Sequence, residues 1–347
     1  MNIVFVPVSG PRGVGEYMRS LILANALSVH APHVRITFIL SRQAPYMSEC
    51  PYAVCLVDAS PTQCTSQVNA IVKTLLPDVI VFDASGRAAQ YRYAKKMGAK
   101  VIFISQHKKK RARAFALNRI KHIDAHCVTQ LPFIDGDLNL WQKVILKIFN
   151  KPQPYFIGPV FSPADHSVFS LYSLPKHYVF FSAGGGGHSY LDGSGSLRLA
   201  ADELLLAAQL WHQKTGEHCV VVLGPNYPNA AQSLKGITVI KALPNAMLMA
   251  VLQNARCAVL GGGAMLVQAI ALGTSSIAIA FAKDQPARIS AIKKRGLISA
   301  SQLDVASIVK ALECGAPSVH FECANGCELF LNVLEGLMGG PKIIITQ

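Results

Sequence analysis

The sequence predicts an α/β fold of two Rossmann-like, doubly wound domains that face each other across a cleft. Short apolar runs alternate with helical patterns along almost the whole chain, and a proline-rich segment interrupts this alternation near the middle. Glycine-rich turns follow three of the apolar runs. The chain has 347 residues, which exceeds one ordinary core and favours two domains.

The predicted elements of the first half, residues 1–158, belong to a parallel sheet covered by helices, because its apolar runs are continuous rather than alternating. The predicted strands are 3–8, 35–40, 53–57, 78–83, 100–105 and 125–130. The predicted helices are 16–29, 65–76, 86–97 and 110–122. Four prolines in 149–165 mark the linker.

The same alternation restarts in the second half, residues 159–347, which is predicted to be the second domain. Its predicted strands are 177–182, 219–223, 237–241, 257–260 and 275–281. Its predicted helices are 197–213, 245–255, 264–272, 286–295 and 303–313, followed by a terminal helix near the C-terminus.

The composition favours a cytoplasmic enzyme. The chain is 51% hydrophobic and 15% charged, which argues against disorder. Its apolar runs are shorter than the roughly 18–20 residues of a membrane span, and the N-terminus resembles a first strand rather than a signal peptide. Nine scattered cysteines without a CxxC pair favour reduced thiols over disulfides or zinc. The sequence therefore predicts no metal site and no cofactor.

The net charge of +14 is concentrated in the first half. Residues 1–158 contain 20 Lys and Arg against 8 Asp and Glu, whereas residues 159–347 contain 13 against 11. Residues 84–123 contain 12 basic residues and no acidic one. This asymmetry predicts an anionic partner for one domain only.

The three glycine-rich turns are SGPRGVG (9–15), SAGGGGHS (182–189) and LGGGAM (260–265). Each follows a predicted strand, where open α/β sheets bind ligands, and glycines let backbone amides approach a phosphate at a helix N-terminus. None is followed by the Lys-Ser/Thr of a P-loop, and none matches the dinucleotide fingerprint with its acidic residue. Taken singly, each turn could equally serve tight packing.

Residues 177–296 resemble the C-terminal domain of GT-B glycosyltransferases. The nearest types are the N-acetylglucosaminyltransferase of peptidoglycan lipid intermediates and the UDP-sugar hydrolase of pseudaminic acid synthesis. The pieces that match are FFSAGGGG, VVVLGPN and the run from LPNAM to KDQPARI. The resemblance implies a nucleotide-sugar site without metal, with the diphosphate and sugar held by turns and the ribose by a helix. The residues it implies are Gly184, Gly185, Gly186, Gly187, Asn245, Gly261, Gly262, Gly263, Ala264, Met265, Gln268, Asp284 and Gln285.

The segment GVGEYMRSLILANAL (13–27) resembles the N-terminal pattern GxGHxxRxxxLAxxL of the same family. Gly13, Gly15 and Arg19 occupy pattern positions, which implies a role in substrate binding. Two departures stand out. Glu16 replaces a histidine that often acts as general base, and Gln268 replaces the usual ribose-binding acid. A carboxylate can also act as a base, so Glu16 is a candidate catalytic base; the alternative is a helix-start residue favoured by the dipole.

Three further residues have two open interpretations each. Asp83 ends a predicted strand and either assists catalysis and acceptor binding or caps the helix near 86. His188 either contacts a phosphate or the donor sugar, or is an exposed loop histidine. Arg288 either neutralises phosphate charge or is an exposed helix arginine.

The basic segment 107–122 intersperses cations with Phe115, Leu117 and Ile120, so we expect it to lie on an anionic membrane surface with its apolar residues inserted. An acidic glycan and a merely solvated helix are the alternatives, and no nucleic acid is expected because no recognised module is present.

Taken together, the sequence predicts an inverting, metal-independent glycosyltransferase that moves a sugar from a nucleotide-sugar, such as a UDP-sugar, to a lipid-linked or polymeric envelope glycan. Its expected location is the cytoplasm, at the inner membrane face. A nucleotide-sugar hydrolase and a non-catalytic sugar-nucleotide-binding homologue are the alternatives.

Overall fold

The computed structural model describes residues 1–9, 14–44, 46–191, 195–231 and 234–339. The chain forms two compact units. The first comprises Met1–Val160 together with the C-terminal segment that begins at Ala324, and the second comprises Phe161–Cys323.

The first unit contains a seven-stranded parallel sheet in the order β3-β2-β1-β4-β5-β6-β7. Its central strands are buried on both faces, which explains their continuous apolar runs. The strands are β1 (Asn2–Pro7), β2 (Arg35–Ser41), β3 (Ala53–Val57), β4 (Val79–Asp83), β5 (Lys100–Ser105), β6 (Ala125–Val128) and β7 (Tyr155–Phe156).

Helices cover the faces of this sheet. They are α1 (Gly15–His30), α2 (Thr65–Leu75), α3 (Ala88–Lys96), α4 (Lys108–Ala112), α5 (Leu117–Ile120), α6 (Pro132–Asp135) and α7 (Leu140–Ile148). The chain also forms 3-10 turns at Met47–Glu49 and Arg113–Phe115. The last two helices, α6 and α7, lie in a stretch for which the sequence predicted none.

The predicted continuous helix 110–122 is wrong. The segment folds instead as α4, the 3-10 turn Arg113–Phe115 and α5, with extended backbone at Ala116. The physical reason is packing, because Phe115 and Ile120 are buried in the core beside β5 rather than displayed on a surface. Neither side chain is therefore available for insertion into a membrane, and of the three apolar residues only Leu117 is exposed.

The second unit contains a six-stranded parallel sheet in the order β12-β11-β8-β13-β14-β15 and a separate antiparallel ribbon. The sheet strands are β8 (Val179–Ser182), β11 (Cys219–Val222), β12 (Ile237–Ile240), β13 (Cys257–Gly261), β14 (Ser276–Ile279) and β15 (Ser299–Ser301). The ribbon pairs β9 (Ser189–Leu191) with β10 (Leu197–Leu199). The helices are α8 (Ser167–Leu171), α9 (Ala200–Thr215), α10 (Asn245–Asn254), α11 (Ala264–Ala271), α12 (Gln285–Lys293) and α13 (Val305–Cys314).

The terminal helix α14 (Gly326–Leu337) was predicted as part of the second domain, but it packs in the first unit. Its apolar face, with Phe330 fully buried, lies in the same core as Ile3 and Phe5, and the rings of Phe5 and Phe330 are 6.4 Å apart. Gly326 permits the approach, because a Cβ there would lie 2.8 Å from the Ile157 carbonyl oxygen. Helix α14 therefore completes the core that β1 begins.

Two parallel-sheet α/β units confirm the predicted fold class. Among the described residues, no helix is both long and apolar enough to cross a membrane. All nine cysteines are free thiols.

We expect Phe330→Ala to lower the free energy of unfolding of the first unit by about 3–5 kcal/mol, because it opens a cavity between α14 and β1. Chemical denaturation monitored by circular dichroism measures this loss. The control, Met338→Ala, alters an exposed side chain just beyond α14 and should change stability little. Equal stability of Phe330→Ala and the wild type would contradict the placement of α14.

Candidate functional site

The sheet of the second unit has its switch point between β8 and β13. From β8 the chain moves to β11 and β12 on one side, and then returns to β13 on the other side. Open α/β sheets bind ligands at such a point, beyond the carboxyl ends of the strands. Leu260 pairs with Ser182 across the two strands, so the four-glycine turn and the three-glycine turn begin side by side.

The four-glycine turn packs against the turn that follows β11. Gly184 and Gly186 have positive φ angles, and a Cβ on Gly186 would lie 2.5 Å from the Leu223 carbonyl oxygen. The Asn226 amide donates to the Gly185 carbonyl at 2.9 Å, and a Cβ on Gly224 would lie 2.3 Å from the Gly184 carbonyl oxygen. Turn-to-turn packing therefore requires Gly186 and Gly224 even before any ligand is considered.

Gly261, the last residue of β13, and the two glycines that follow it have different surroundings. A Cβ on Gly261 would lie 2.5 Å from the Phe281 ring, and one on Gly262 would lie 2.8 Å from Ile289 Cδ1. A Cβ on Gly263 would meet no atom within 4 Å. The first two glycines make room for side chains that follow β14, whereas Gly263 leaves its side open.

Helix α11 begins immediately after this turn. Gly263 is its N-cap residue, and no side chain caps the helix. Ala264 is exposed and Met265 is half-buried. An uncapped helix N-terminus has backbone N–H groups without intrahelical partners and a partial positive charge, which together suit an anion such as a diphosphate.

Two predicted sugar or phosphate contacts instead hold the glycine turn in place. The Gln285 side-chain oxygen accepts from the Gly262 amide at 3.2 Å and from the Phe281 amide at 2.8 Å. The Arg288 guanidinium donates to the Gly262 carbonyl oxygen and, at 3.4 Å, to the Asp284 carboxylate. Gln285 and Arg288 are both buried, whereas the Asp284 side chain is 57% exposed. Asp284 is therefore the member of this group that an incoming ligand can reach.

The remaining predicted donor-site residues differ in burial and in the groups they contact. Gln268 lies on the buried face of α11 and is 8% exposed. Asn245 begins α10, and its side-chain oxygen accepts from the Ser162 amide at 2.8 Å, so it anchors the start of the unit. His188 is exposed, with its ring 6.1 Å from that of Phe281. Phe281 thus lies close to both glycine turns, and the sequence analysis missed it.

The first unit has an equivalent switch point between β1 and β4, where Pro7 pairs with Asp83. Gly13 lies outside the described residues, and Gly15 is exposed at the first position of α1. Arg19, Glu16 and Asp83 are brought together here. Ala84, directly after Asp83, has a φ angle of 52°, which is uncommon for alanine and typical of strained functional loops.

Asp83 and Arg19 form a buried ion pair with two hydrogen bonds. Arg19 Nε donates to Asp83 Oδ2 at 2.9 Å and Arg19 Nη2 donates to Oδ1 at 2.5 Å, and the Ser20 hydroxyl also donates to Oδ2 at 3.3 Å. Burial raises the pKa of Asp83, although Arg19 opposes the shift. Asp83 does not cap the next helix, whose N-cap residue is Arg87. Asp83 is fully buried, and both of its carboxylate oxygens bind Arg19.

Glu16 lies in the first turn of α1 and forms an ion pair with Lys110. Burial raises the pKa of Glu16, but the charges of Arg19 and Lys110 and the hydrogen bond from Lys110 outweigh burial, so the pKa lies below its ordinary value. The carboxylate is therefore ionised at neutral pH, as a base must be, but its proton affinity is reduced. Lys110 lies in a run of cations, and nothing in the sequence singles it out.

Among the described residues, no group of three or more His, Cys, Asp or Glu side chains is arranged to hold a metal ion. His126 is buried with Nε2 hydrogen-bonded to the Ser105 hydroxyl at 2.8 Å. Burial, reinforced by the charge of Arg111, lowers its pKa to about 3 and keeps the ring neutral. His126 packs in the core beside Phe103 and Phe115, away from the candidate site residues named above.

Comparison with solved structures identifies the fold. The glycosyltransferase of kitacinnamycin is 16% identical with a TM-score of 0.59, covering 90% of this chain and 89% of its own. Spinosyn rhamnosyltransferase SpnG, solved with spinosyn aglycone, is 12% identical with a TM-score of 0.60, covering 90% of this chain and 91% of its own. The UDP-GlcNAc 2-epimerase of Methanocaldococcus jannaschii, solved with UDP-GlcNAc and UDP, is 12% identical with a TM-score of 0.58, covering 97% of this chain and 100% of its own.

The fold is that shared by GT-B glycosyltransferases and UDP-GlcNAc 2-epimerases. At these identities the likeness concerns the fold alone. No protein-family model and no curated protein matches the sequence.

We expect Gly262→Ala and Gly263→Ala to differ in their effect on the stability of the second unit. Gly262→Ala should destabilise the second unit by about 1–3 kcal/mol, because its Cβ would meet Ile289 and Gln285. Gly263→Ala has open space for its methyl group and should cost less than about 1 kcal/mol. Chemical denaturation measures both, and equal stability losses would contradict the geometry of this turn.

Proposed function

We propose that this protein is a glycosyltransferase that uses a nucleotide-sugar donor bound to the second unit. The observation that carries the proposal is the uncapped N-terminus of α11 behind a glycine turn, at the switch point of the sheet. The nucleoside diphosphate would accept hydrogen bonds from the first-turn amides of α11 next to Gly263. The exposed His188 and Asp284 lie on neighbouring turns and would contact the sugar or the phosphates.

The strongest support for a donor site comes from the glycine turn before α11, because its backbone is not covered by a side chain at Gly263. Gly263 admits a ligand to the backbone, while Gln285 and Arg288 fix the turn beneath it. Fixed amides stabilise charge without reorganising during the reaction, which suits a diphosphate leaving group and needs no metal ion. Gln268, being buried and uncharged, would offer the ribose a weaker hydrogen bond than a carboxylate.

The proposed reaction is a direct, inverting displacement. Glu16 removes the proton from an acceptor hydroxyl, and the oxygen attacks the anomeric carbon of the donor sugar. The bond from that carbon to the diphosphate oxygen breaks, and its electron pair leaves with the nucleoside diphosphate. Asp83 acts through Arg19, whose charge lies beside Glu16 and keeps it ionised.

The proposed acceptor is a lipid-linked or polymeric glycan of an envelope, bound to the first unit. Two observations support this class: the positive charge concentrated in residues 1–158 suits an anionic acceptor, and the family that the sequence resembles acts on lipid intermediates. A phosphate of such an acceptor would compete with Glu16 for Lys110. Release of Glu16 from Lys110 would then raise its basicity when the acceptor binds.

Incubation of the full chain with UDP-, GDP- and dTDP-sugars, with and without membrane extract, tests the proposal. We expect nucleotide release that depends on the extract, and Glu16→Gln should lower its rate by on the order of 100-fold or more. The control, Glu49→Gln, removes an exposed carboxylate of the same unit and should leave the rate unchanged.

The other outcomes assign other functions. Release of nucleotide and free sugar without extract would indicate the hydrolase. Conversion of UDP-GlcNAc to its 2-epimer would indicate the activity named for the epimerase of similar fold, which the chain matches over almost its whole length. Donor binding without turnover under every condition would contradict the transferase, hydrolase and epimerase activities. It would indicate a non-catalytic sugar-nucleotide-binding protein.

We expect Lys110→Gln to shift the acid limb of the kcat/KM pH profile to higher pH. Lys110 lowers the pKa of Glu16 through its charge and its hydrogen bond, so the removal of Lys110 raises that pKa. A base acts when deprotonated, so activity would disappear at a higher pH than in the wild type. An unchanged acid limb would show that Glu16 is not the base.

A further inference from the structure

Helix α7 exposes four large apolar side chains in nine residues. Leu140 is 82% exposed, Trp141 63%, Val144 46% and Ile148 66%. Scattered exposed apolar residues are ordinary on protein surfaces, but a contiguous apolar patch marks an interaction site. The sequence pattern predicted no helix here and gave no indication of this surface.

The four side chains form one stripe. At 100° per residue, Leu140, Val144, Ile148 and Trp141 fall within an arc of about 100°. The opposite face of the helix, with Gln142, Ile145 and Leu146, is buried against the core. One face of α7 therefore already packs against the core, and the exposed stripe takes no part in the packing of this unit.

Cations flank the stripe. Lys143 and Lys147 are exposed and project along one edge of it, and α7 itself has no acidic residue. The helix packs against the 3-10 turn Arg113–Phe115 of the basic segment. Arg111 links the basic segment to the residues just before α7, because its guanidinium donates to the Gly136 carbonyl oxygen at 2.9 Å. Apolar side chains and a field of positive charge thus occur together.

We propose that α7 docks the first unit on a membrane surface that contains anionic lipid. Trp141 would lie at the level of the headgroups, the aliphatic side chains would insert beside it, and Lys143 and Lys147 would pair with lipid phosphates. A second copy of the chain fits less well, because a two-fold contact on this stripe would bring the lysines of both copies together. A nucleic acid would pair with the cations but not with Leu140, Val144 and Ile148.

The inference is independent of the proposed function, because it uses none of the donor or base residues. If the acceptor is lipid-linked, however, the docking surface and the acceptor site would belong to the same unit. A chain that binds vesicles but turns over no donor would leave the docking proposal intact, and the reverse result would leave the glycosyltransferase proposal intact.

The two tryptophans make the test direct. Trp211 is 6% exposed and its indole N–H donates to Glu217, so its emission should not respond to lipid. Trp141 is exposed and should shift its emission to shorter wavelength when vesicles of phosphatidylcholine mixed with phosphatidylglycerol are added to the full chain. Lipids brominated in the acyl chains should quench it, and phosphatidylcholine alone should produce little change. Absence of a shift and of quenching would overturn the proposal.

Sedimentation with the same vesicles measures the contribution of each part. Lys143→Gln with Lys147→Gln should weaken binding by about 25-fold, or about fivefold for each cation. Leu140→Ser with Ile148→Ser should weaken it by at least about tenfold. Matched controls remove the same groups elsewhere: Lys235→Gln with Lys241→Gln, and Val29→Ser with Leu171→Ser, all at exposed positions.

Equal effects of the α7 variants and their controls would overturn the proposal. So would self-association in analytical ultracentrifugation that Leu140→Ser with Ile148→Ser abolishes, because a second copy would then occupy the stripe. Binding of a labelled oligonucleotide that competes with vesicles and is lost in the lysine variant would assign the surface to nucleic acid instead.

Discussion

The buried ion pair between Arg19 and Asp83 is the constraint on which the candidate site of the first unit depends. Asp83 is fully buried and Arg19 is 8% exposed, and such a pair is tolerated only when hydrogen bonds satisfy its buried groups, as Arg19 and Ser20 do for Asp83. The pair ties the first turns of α1 to the end of β4, and the half-buried Glu16 lies in the first of these turns. Removal of either partner alone would leave a buried charge and cost about 3–5 kcal/mol.

The second unit also places a helix N-terminus at a switch point of its sheet. There, side chains bind neutral backbone groups instead of a buried carboxylate. Gln285 and Arg288 bind the amide and carbonyl of Gly262, so the turn before α11 is fixed from beneath by side chains of α12. The two residues belong to a motif that the family resemblance assigned to the sugar and phosphates. Both side chains are buried, and their bonds to Gly262 hold the loop that follows β13 in place.

The sequence was sufficient for the fold because continuous apolar strands are local signals, and such strands form both sheets. It was insufficient for the roles of the site residues. Gly261, Gly262 and Gly263 are the same residue type, yet their surroundings differ. Phe281 and Ile289 leave no room for a Cβ at Gly261 and Gly262, whereas the space beside Gly263 is open. Whether a glycine makes room for a side chain or for a ligand depends on residues about 20 positions away, which no local pattern reports. The same holds for Lys110, whose partner Glu16 is 94 residues distant.

The basic segment and α7 show a related limit of hydrophobic patterning. Phe115 and Ile120, which the sequence suggested for a membrane surface, fill the core, while Leu140, Trp141 and Ile148 are exposed. The sequence of α7 has a clear 3.6-residue periodicity, but its apolar side chains span both the exposed stripe and part of the buried face, so the periodicity cannot tell which of them are buried. Only the packing of Ile145 and Leu146 against the core decides this. Helix α7 packs beside the cationic segment, but three-dimensional burial selects which of the apolar side chains in this region are exposed.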